Sequence, residues 1–148
     1  LPESARSIYS DNPVVDFSMG PQEKYFTDES IATFMSQEDS VTRTSDRMGY
    51  RLEGTALKHR SKAELISEGM TMGAIQVPAN GQPIVMMADC PTTGGYPKIA
   101  TIASADLPLL AQCVPNKSRI RFQETSVAKA QKKYRALING LDKIVESD

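Results

Sequence analysis

Three polar clusters in the middle of the chain hold the residue types that could bind or transform a small molecule. In the first, Ser45-Asp46-Arg47-Met48-Gly49-Tyr50-Arg51, Arg47 offers a planar five-donor fork suited to a carboxylate or a phosphate. Asp46 beside it could orient that fork; the alternative is a turn closed by an Asp-Arg ion pair, which contributes little at a surface. In the second, Gly73-Ala74-Ile75-Gln76-Val77-Pro78, Gln76 lies between two apolar residues and so points to the face opposite theirs. Its primary amide has two donors and an acceptor, enough to bind a cyclic amide or a urea-like group; the alternative is a solvent-facing strand glutamine. The third is Thr92-Thr93-Gly94-Gly95-Tyr96-Pro97. Its glycines let backbone approach a ligand or turn consecutive amide protons to an anion, and Thr92 and Thr93 add hydroxyls. It is not a nucleotide P-loop, because Lys98 is misplaced and no Gly-Lys-Ser/Thr follows.

The scarce residues narrow the chemistry. His59 is the single histidine, and Cys90 and Cys113 form no CxxC pair. A zinc site takes three or four such ligands, so no metal site is expected. A Ser-His-Asp or Cys-His mechanism would have to run through His59, which sits in the polar stretch Leu57-Lys58-His59-Arg60-Ser61-Lys62 and reads as a solvated loop residue. No catalytic residue is assigned. Cys113 reads as a small core residue.

Composition excludes whole classes. Hydrophobic residues are 40% and charged residues 24% of 148 residues, the balance of one soluble globular domain and not of collagen, a disordered tail or a polytopic membrane protein. Eighteen acidic residues against 17 basic give a net charge of -1, so there is no electrostatic case for nucleic-acid binding. The first residues have no signal-peptide core, and the longest apolar run, Ile84-Val85-Met86-Met87-Ala88, cannot span a bilayer. The expected location is cytoplasmic, away from membranes. The first residue is not Met, so a processed product or a piece of something longer is expected.

The elements that would carry the clusters are mostly short alternating strands. Residues 1–12 read as a flexible segment. Strands are expected at Pro13–Ser18, Ser40–Ser45, Tyr50–Gly54, Gly73–Pro78, Pro83–Ala88, Ile99–Ile102 and Arg119–Phe122. Asn80-Gly81 signals a hairpin between the fourth and fifth of these. A helix capped by Thr27 or Asp28 buries Ile31, Phe34 and Met35, and a second, capped by Ser104, runs from Ala105 to about Gln112. Ser126 caps the longest helix, 126–148. Its apolar residues Val127, Ala130, Tyr134, Leu137, Ile138, Leu141, Ile144 and Val145 recur at steps of three and four, with Lys129, Lys132, Lys133 and Arg135 off that stripe. It is either a terminal helix laid on the body or a partner-binding helix. The strand count and turn signals favour a mainly β protein, an antiparallel barrel with peripheral helices, over a doubly wound α/β fold.

Taken in order, these motifs resemble a known family. Ser45-Asp46-Arg47-Met48-Gly49-Tyr50-Arg51-Leu52-Glu53-Gly54, Ser67-Glu68-Gly69, Gly73–Pro78, Gly81-Gln82-Pro83-Ile84, Thr92–Pro97 and Ala105-Asp106-Leu107 are similar to the C-terminal half of the KipA family. This is also the allophanate hydrolase subunit 2 or biotin-dependent carboxyltransferase-like family, which includes the C subunit of 5-oxoprolinase. The resemblance implies a cyclophilin-like β-barrel over residues 13–125. It implies a second, N-terminal cyclophilin-like domain elsewhere, a KipI-like partner (allophanate hydrolase subunit 1) and a third oxoprolinase subunit, together cleaving 5-oxoproline to glutamate with ATP and Mg at the level of the complex. The implied ligand wall is Gln76, Thr92, Thr93, Gly94, Gly95 and Tyr96, with Asp46 and Arg47 near it. Two alternatives stay open: carboxyl transfer from biotin, supplied by another domain, to urea, and a non-catalytic module that regulates by engaging a KipI-like protein. Cys90-Pro91 stand where the family commonly has Arg-Gln. The motifs include neither a phosphate loop nor a metal set, so the chain alone is expected to lack catalysis and to have its site finished by a partner.

Overall fold

The computed structural model describes residues 9–145. The expected flexible segment 1–12 therefore lies outside the described residues up to residue 8, as do residues 146–148. Seven strands close into a barrel: β1 (Val14–Met19), β2 (Glu38–Val41), β3 (Gly49–Glu53), β5 (Ala74–Gln76), β6 (Ile84–Met86), β8 (Lys98–Ile102) and β9 (Arg119–Glu124). Two more strands, β4 (Glu68–Gly69) and β7 (Thr93–Gly94), form a separate two-stranded ribbon. Around the barrel the order is β1-β8-β5-β6-β3-β2-β9.

Every pairing in the ring is antiparallel except the closure, where β1 runs parallel to β9 with Val15 opposite Phe122. Directions cannot alternate all the way round a ring of seven, so one parallel pair is required. The fold is the expected mainly β barrel with peripheral helices, closed by that one parallel seam. The hairpin of β5 and β6 forms with Ile75 opposite Val85 and Gln76 opposite Ile84. Its connection is longer than a two-residue turn. The Gly81 amide bonds the Pro78 carbonyl (2.9 Å), and Gly81 takes φ +76°, a conformation glycine adopts without strain.

Alternation along the strands fills the interior. Val15, Phe17, Val41, Leu52, Ile75, Val85, Ile99, Ile120 and Phe122 are buried in one core. Helix α1 (Asp28–Ser36) closes it by inserting Phe34. The Phe34 ring stacks on Phe122 at 4.6 Å and meets Phe17 edge-on at 5.1 Å. Thr27 caps the helix, its hydroxyl oxygen accepting from the Ser30 amide. The strand expected at Ser40–Ser45 starts two residues earlier and ends at Val41, because Thr42 and Ser45 turn the chain through a backbone bond. The helix expected from Ala105 begins as a 3-10 turn at Ser104–Asp106 and is α-helical only over Leu107–Ala111 (α2); Ser104 makes no side-chain cap. His59 is not a solvated loop residue. It pairs with Phe26 in an isolated bridge, packs its ring 4.9 Å from that of Phe26 and bonds the Val77 carbonyl at 3.0 Å. Cys113 is buried as expected.

Helix α3 (Val127–Val145) starts with Ser126 Oγ accepting from the Lys129 amide. Lys133 tethers it, with Nζ 2.6 Å from Asp106 Oδ1 and 2.8 Å from Asp16 Oδ2. Burial works against the Lys133 charge, but the two carboxylates outweigh it and hold the ammonium above its ordinary range. No helix among the described residues is long and apolar enough to cross a membrane.

One buried group sets a pH dependence. Asp39 faces the barrel interior, fully buried, with Oδ1 accepting from Gln37 Nε2 (2.9 Å) and Oδ2 without a partner. Burial pushes its pKa up from 3.8 to about 6. A carboxyl whose folded pKa is raised favours the folded state fully below its unfolded pKa, and that contribution is lost as pH rises through the folded one. The wild type should therefore lose about 2–3 kcal/mol between pH 4 and pH 7 relative to Asp39→Asn. Urea unfolding of both proteins across that range measures the difference. A difference that does not change with pH would refute the assignment.

Candidate functional site

The concavity that gathers candidate residues lies on the outside of the barrel. Ile75, Val85 and Leu52 point into the core, so alternation turns Gln76, Ile84 and Arg51 outward on three neighbouring strands. Ile84 is opposite both Gln76 and Arg51, which sets those two about 10 Å apart across two strand spacings. Together with Thr42, Thr44, Glu53, Gln82 and Tyr96 they line a concavity of about 560 Å³.

The ribbon of β4 and β7 covers the adjoining part of this face. Glu68 of β4 anchors it, accepting from Lys98 Nζ and from Gln22 Nε2, both at 2.9 Å. The Gln22 Oε1 in turn accepts from the Lys98 amide at 3.0 Å. Lys98 reaches this face because a bulge in β8 sets it opposite Gln76. The Lys98 ammonium, followed by the Gln22 amide, holds the Glu68 carboxyl below its usual range against the effect of burial. Met70 packs beneath the ribbon with Ala74 and Met86, and Cys90 joins that apolar patch. Removing the anchor should loosen the ribbon. In Lys98→Met the Met70 amide, bonded to the Thr92 carbonyl at 2.9 Å, is expected to exchange with solvent at least about tenfold faster. Protection unchanged from wild type by hydrogen exchange would show that the ion pair holds nothing.

Gln76 is the least satisfied group on this face. Its Oε1 is buried and has no hydrogen-bond partner. It lies under Gly94, where a Cβ would come within 3.1 Å of that oxygen and collide with the Met70 methyl. Any larger residue here would have to displace the flexible end of Met70. An orphaned buried acceptor costs roughly 1–3 kcal/mol, which a ligand donor would recover.

Gln76 and Tyr96 thus share one concavity, with Gly94 directly over Gln76. Thr92, Thr93 and Gly95 stand on or beside the ribbon. Thr93 pairs with Gly69, while the Thr92 carbonyl takes the Met70 amide and the Gly95 carbonyl the Leu65 amide. Asp46 and Arg47 are elsewhere, beyond the Gly49 end of β3. Arg47 makes a two-point pair with Asp89, at 2.6 and 3.2 Å. Asp46 does not orient it; Asp46 Oδ1 accepts instead from the Met48 and Gly49 amides. Asp89 makes Arg47 harder to deprotonate, and Arg47 holds the Asp89 carboxyl below its usual range. Both groups are exposed, so the pair contributes little to stability.

Sequence reading missed Arg51, which belongs to the same motif as Arg47. Its signal was parity: Tyr50 and Leu52 are apolar, so Arg51 must face outward beside Gln76. Among the described residues Arg51 has no ion-pair partner, and its guanidinium is the one cationic group on the lining. An unpaired guanidinium and an orphaned amide oxygen on one wall suit a small molecule with an anionic group and an N–H donor. Among the described residues no three His, Cys, Asp or Glu side chains are placed to hold a metal ion.

Comparison with known proteins gives this surface a context. Residues 1–124 match the family model of the carboxyltransferase domain, subdomain A and B. The 5-oxoprolinase C subunit of Escherichia coli is 45% identical over 113 residues, covering 76% of this chain and 36% of that protein. The 5-oxoprolinase C subunit of Haemophilus influenzae is 43% identical over 114 residues, covering 76% and 37%. The chain thus spans little more than a third of the length of these relatives. Among solved structures, the K. lactis urea amidolyase superposes with a TM-score of 0.84 over 94% of this chain and 9% of that one, at 24% identity, a likeness of fold.

Proposed function

This chain belongs to the carboxyltransferase domain family, subdomain A and B, and on that premise we propose that it is the C-terminal domain of a 5-oxoprolinase C subunit. In this reading the concavity binds the lactam. 5-Oxoproline carries a ring N–H, which the Gln76 oxygen accepts, and a carboxylate, which the Arg51 guanidinium takes. Tyr96 and Ile84 border the ring. A small outward movement of the ribbon at Gly94 opens the path to Gln76. The observation that carries the reading is the buried, unpartnered Gln76 Oε1 on a chain 45% identical to a protein of that name.

Ring opening at an amide needs ATP to activate the carbonyl, and triphosphate needs magnesium and phosphate-binding donors. The described residues of this chain do not fit that role. The Thr92–Pro97 segment forms ribbon and not a phosphate cradle, and no metal-ligating cluster is present among the described residues. We therefore assign ATP and Mg to a KipI-like subunit, a third oxoprolinase subunit or the N-terminal cyclophilin-like domain of the same family, working together in the cytoplasm. The chain's own part is to bind and orient the lactam.

The test is reconstitution. This chain and its parent protein, each alone and with KipI-like and third subunits, are assayed for 5-oxoproline-dependent ATP hydrolysis, with and without avidin. Turnover only by the full set, insensitive to avidin, supports the reading. Turnover by this chain alone would refute the division of labour, and loss of turnover with avidin would move the domain to biotin-dependent carboxyl transfer.

A further inference from the structure

Two unspent groups lie side by side under the ribbon. Lys98 and Gln76 are opposite one another on β8 and β5. Their neighbours Ile99 and Ile75 point into the core, so both side chains stand on the outer face, with Cβ atoms about 5 Å apart. The Lys98 side chain is only 9% exposed, and among the described residues its ammonium has one hydrogen-bond partner, Glu68 Oε2. An ammonium carries three donors, so two are unspent beside the Gln76 oxygen, which has no partner. An ion pair with one member taken out of water is often no more stabilising than apolar packing of the same volume. The ribbon already has such packing, through Met70 on Ala74 and Met86. Cover and counterion are also linked. Glu68 pairs with Gly94 across the ribbon, so the residue that occupies Lys98 and the residue that overlies Gln76 are cross-strand neighbours. One displacement frees both.

We propose that Lys98 is a substrate-binding residue that donates to the carbonyl oxygen of a small amide or lactam, and that Glu68 occupies it as an internal stand-in until the ribbon lifts. This rests on the reading of the face as an amide site, and completes it. A lactam or a urea presents an N–H and a C=O on one edge. Gln76 Oε1 accepts from the first and Lys98 Nζ donates to the second, so each unspent group meets its complement. The order across the sheet agrees. Strands β8, β5, β6 and β3 are consecutive neighbours, which places Lys98, Gln76 and Arg51 in a row, with Ile84 between the last two. In 5-oxoproline the ring nitrogen lies between the carbonyl carbon and the carbon that bears the carboxylate. The match is then carbonyl to Lys98, N–H to Gln76 and carboxylate to Arg51. A cation at the carbonyl also favours any step in which negative charge builds on that oxygen. With the ribbon closed, Lys98 is absent from the lining of the concavity, its charge is taken by Glu68 and the Gln76 acceptor is covered.

Binding to the 148-residue chain tests it, with 5-oxoproline and urea titrated at neutral pH and followed by amide chemical shifts, which also report that each variant is folded. Glu68→Gln removes the competing anion and keeps the shape. Less of the protein is then held closed, so 5-oxoproline should bind at least about fivefold tighter than to wild type. Glu68→Gln/Lys98→Met is released as well but lacks the donor, and should bind at least about tenfold more weakly than Glu68→Gln. The gain is the decisive sign, because loosening a purely structural anchor would weaken the site. Glu68→Gln binding no tighter than wild type, a double variant binding as tightly as Glu68→Gln, or binding of neither compound would each overturn the proposal. If 5-oxoproline binding depends on Gln76 but not on Glu68 or Lys98, the lactam reading stands and this inference falls. If the pattern appears with urea and not with 5-oxoproline, Lys98 keeps its role and the lactam reading falls.

Discussion

Replacing Phe34 by alanine is expected to destabilise the protein by about 3–5 kcal/mol, the largest single loss foreseen for the fold. The side chain is fully buried and is where α1 enters the barrel. Truncation removes the transfer free energy of a phenyl group. It also leaves a cavity that Phe17 and Phe122 cannot easily fill, since both are fixed on β1 and β9. Those two strands make the parallel seam that closes the ring, so loss of packing there acts at the closure. The stacked and edge-on contacts each add roughly 0.5–1.5 kcal/mol. A domain of this size has about 5–15 kcal/mol in total, so the variant would lie close to unfolding at 37 °C. Chemical denaturation measures the loss directly. A midpoint shift worth less than about 1 kcal/mol would mean that α1 is held by its cap and loop contacts instead.

The barrel was legible in the sequence because its strands alternate and its turns are punctuated. Tyr50–Glu53 and Arg119–Phe122 each show one apolar and one polar face, Val15 and Phe17 flank Asp16 in the same alternation, and Asn80-Gly81 marks the bend between two strands that do pair. The parallel closure was implicit in the count of seven strands, although no local signal marks it. Two-residue strands are another matter. Glu68-Gly69 and Thr93-Gly94 have no periodicity to read, and the ion pair that ties their ribbon to the barrel joins Glu68 to Lys98, 30 residues away in sequence. The candidate site was partly legible for the same reasons. Gln76 could be placed by parity on a strand, and the Gly94–Tyr96 segment by its glycines, but their meeting depends on the ribbon. Arg47 drew attention through its neighbour Asp46, yet its partner is Asp89, 42 residues away. Arg51 went unnoticed because one strand step, and not sequence proximity, separates it from the site. Cys90, standing where the resemblance leads one to expect a cation, packs against Met70, Ala74 and Met86. In this chain the cation on the site's wall is Arg51.

The Gln76 amide is therefore where a single atom should matter most. Gln76→Met keeps the length and bulk of the side chain, so the fit of Gly94 and Met70 above it survives, but the acceptor is gone. If the concavity binds the lactam through its N–H, the bound substrate is left with an unpaired donor in a water-poor site. Such a donor costs about 1–3 kcal/mol, and kcat/KM for 5-oxoproline in the reconstituted complex should fall by roughly ten- to a hundredfold. The free protein should respond in the opposite sense. Methionine removes a buried polar atom that has no partner, so the variant should be as stable as the wild type or slightly more so. Arg51→Met should act differently again. A carboxylate is held in the ground state and the transition state alike, so its loss should raise KM with little change in kcat. Arg47→Met, whose side chain turns to Asp89, should have the smallest effect of the three. Steady-state kinetics of the three variants, with thermal unfolding of each, give the comparison. A Gln76→Met complex with wild-type kcat/KM would remove Gln76 from the site, and one that lost stability together with activity would reassign it to packing.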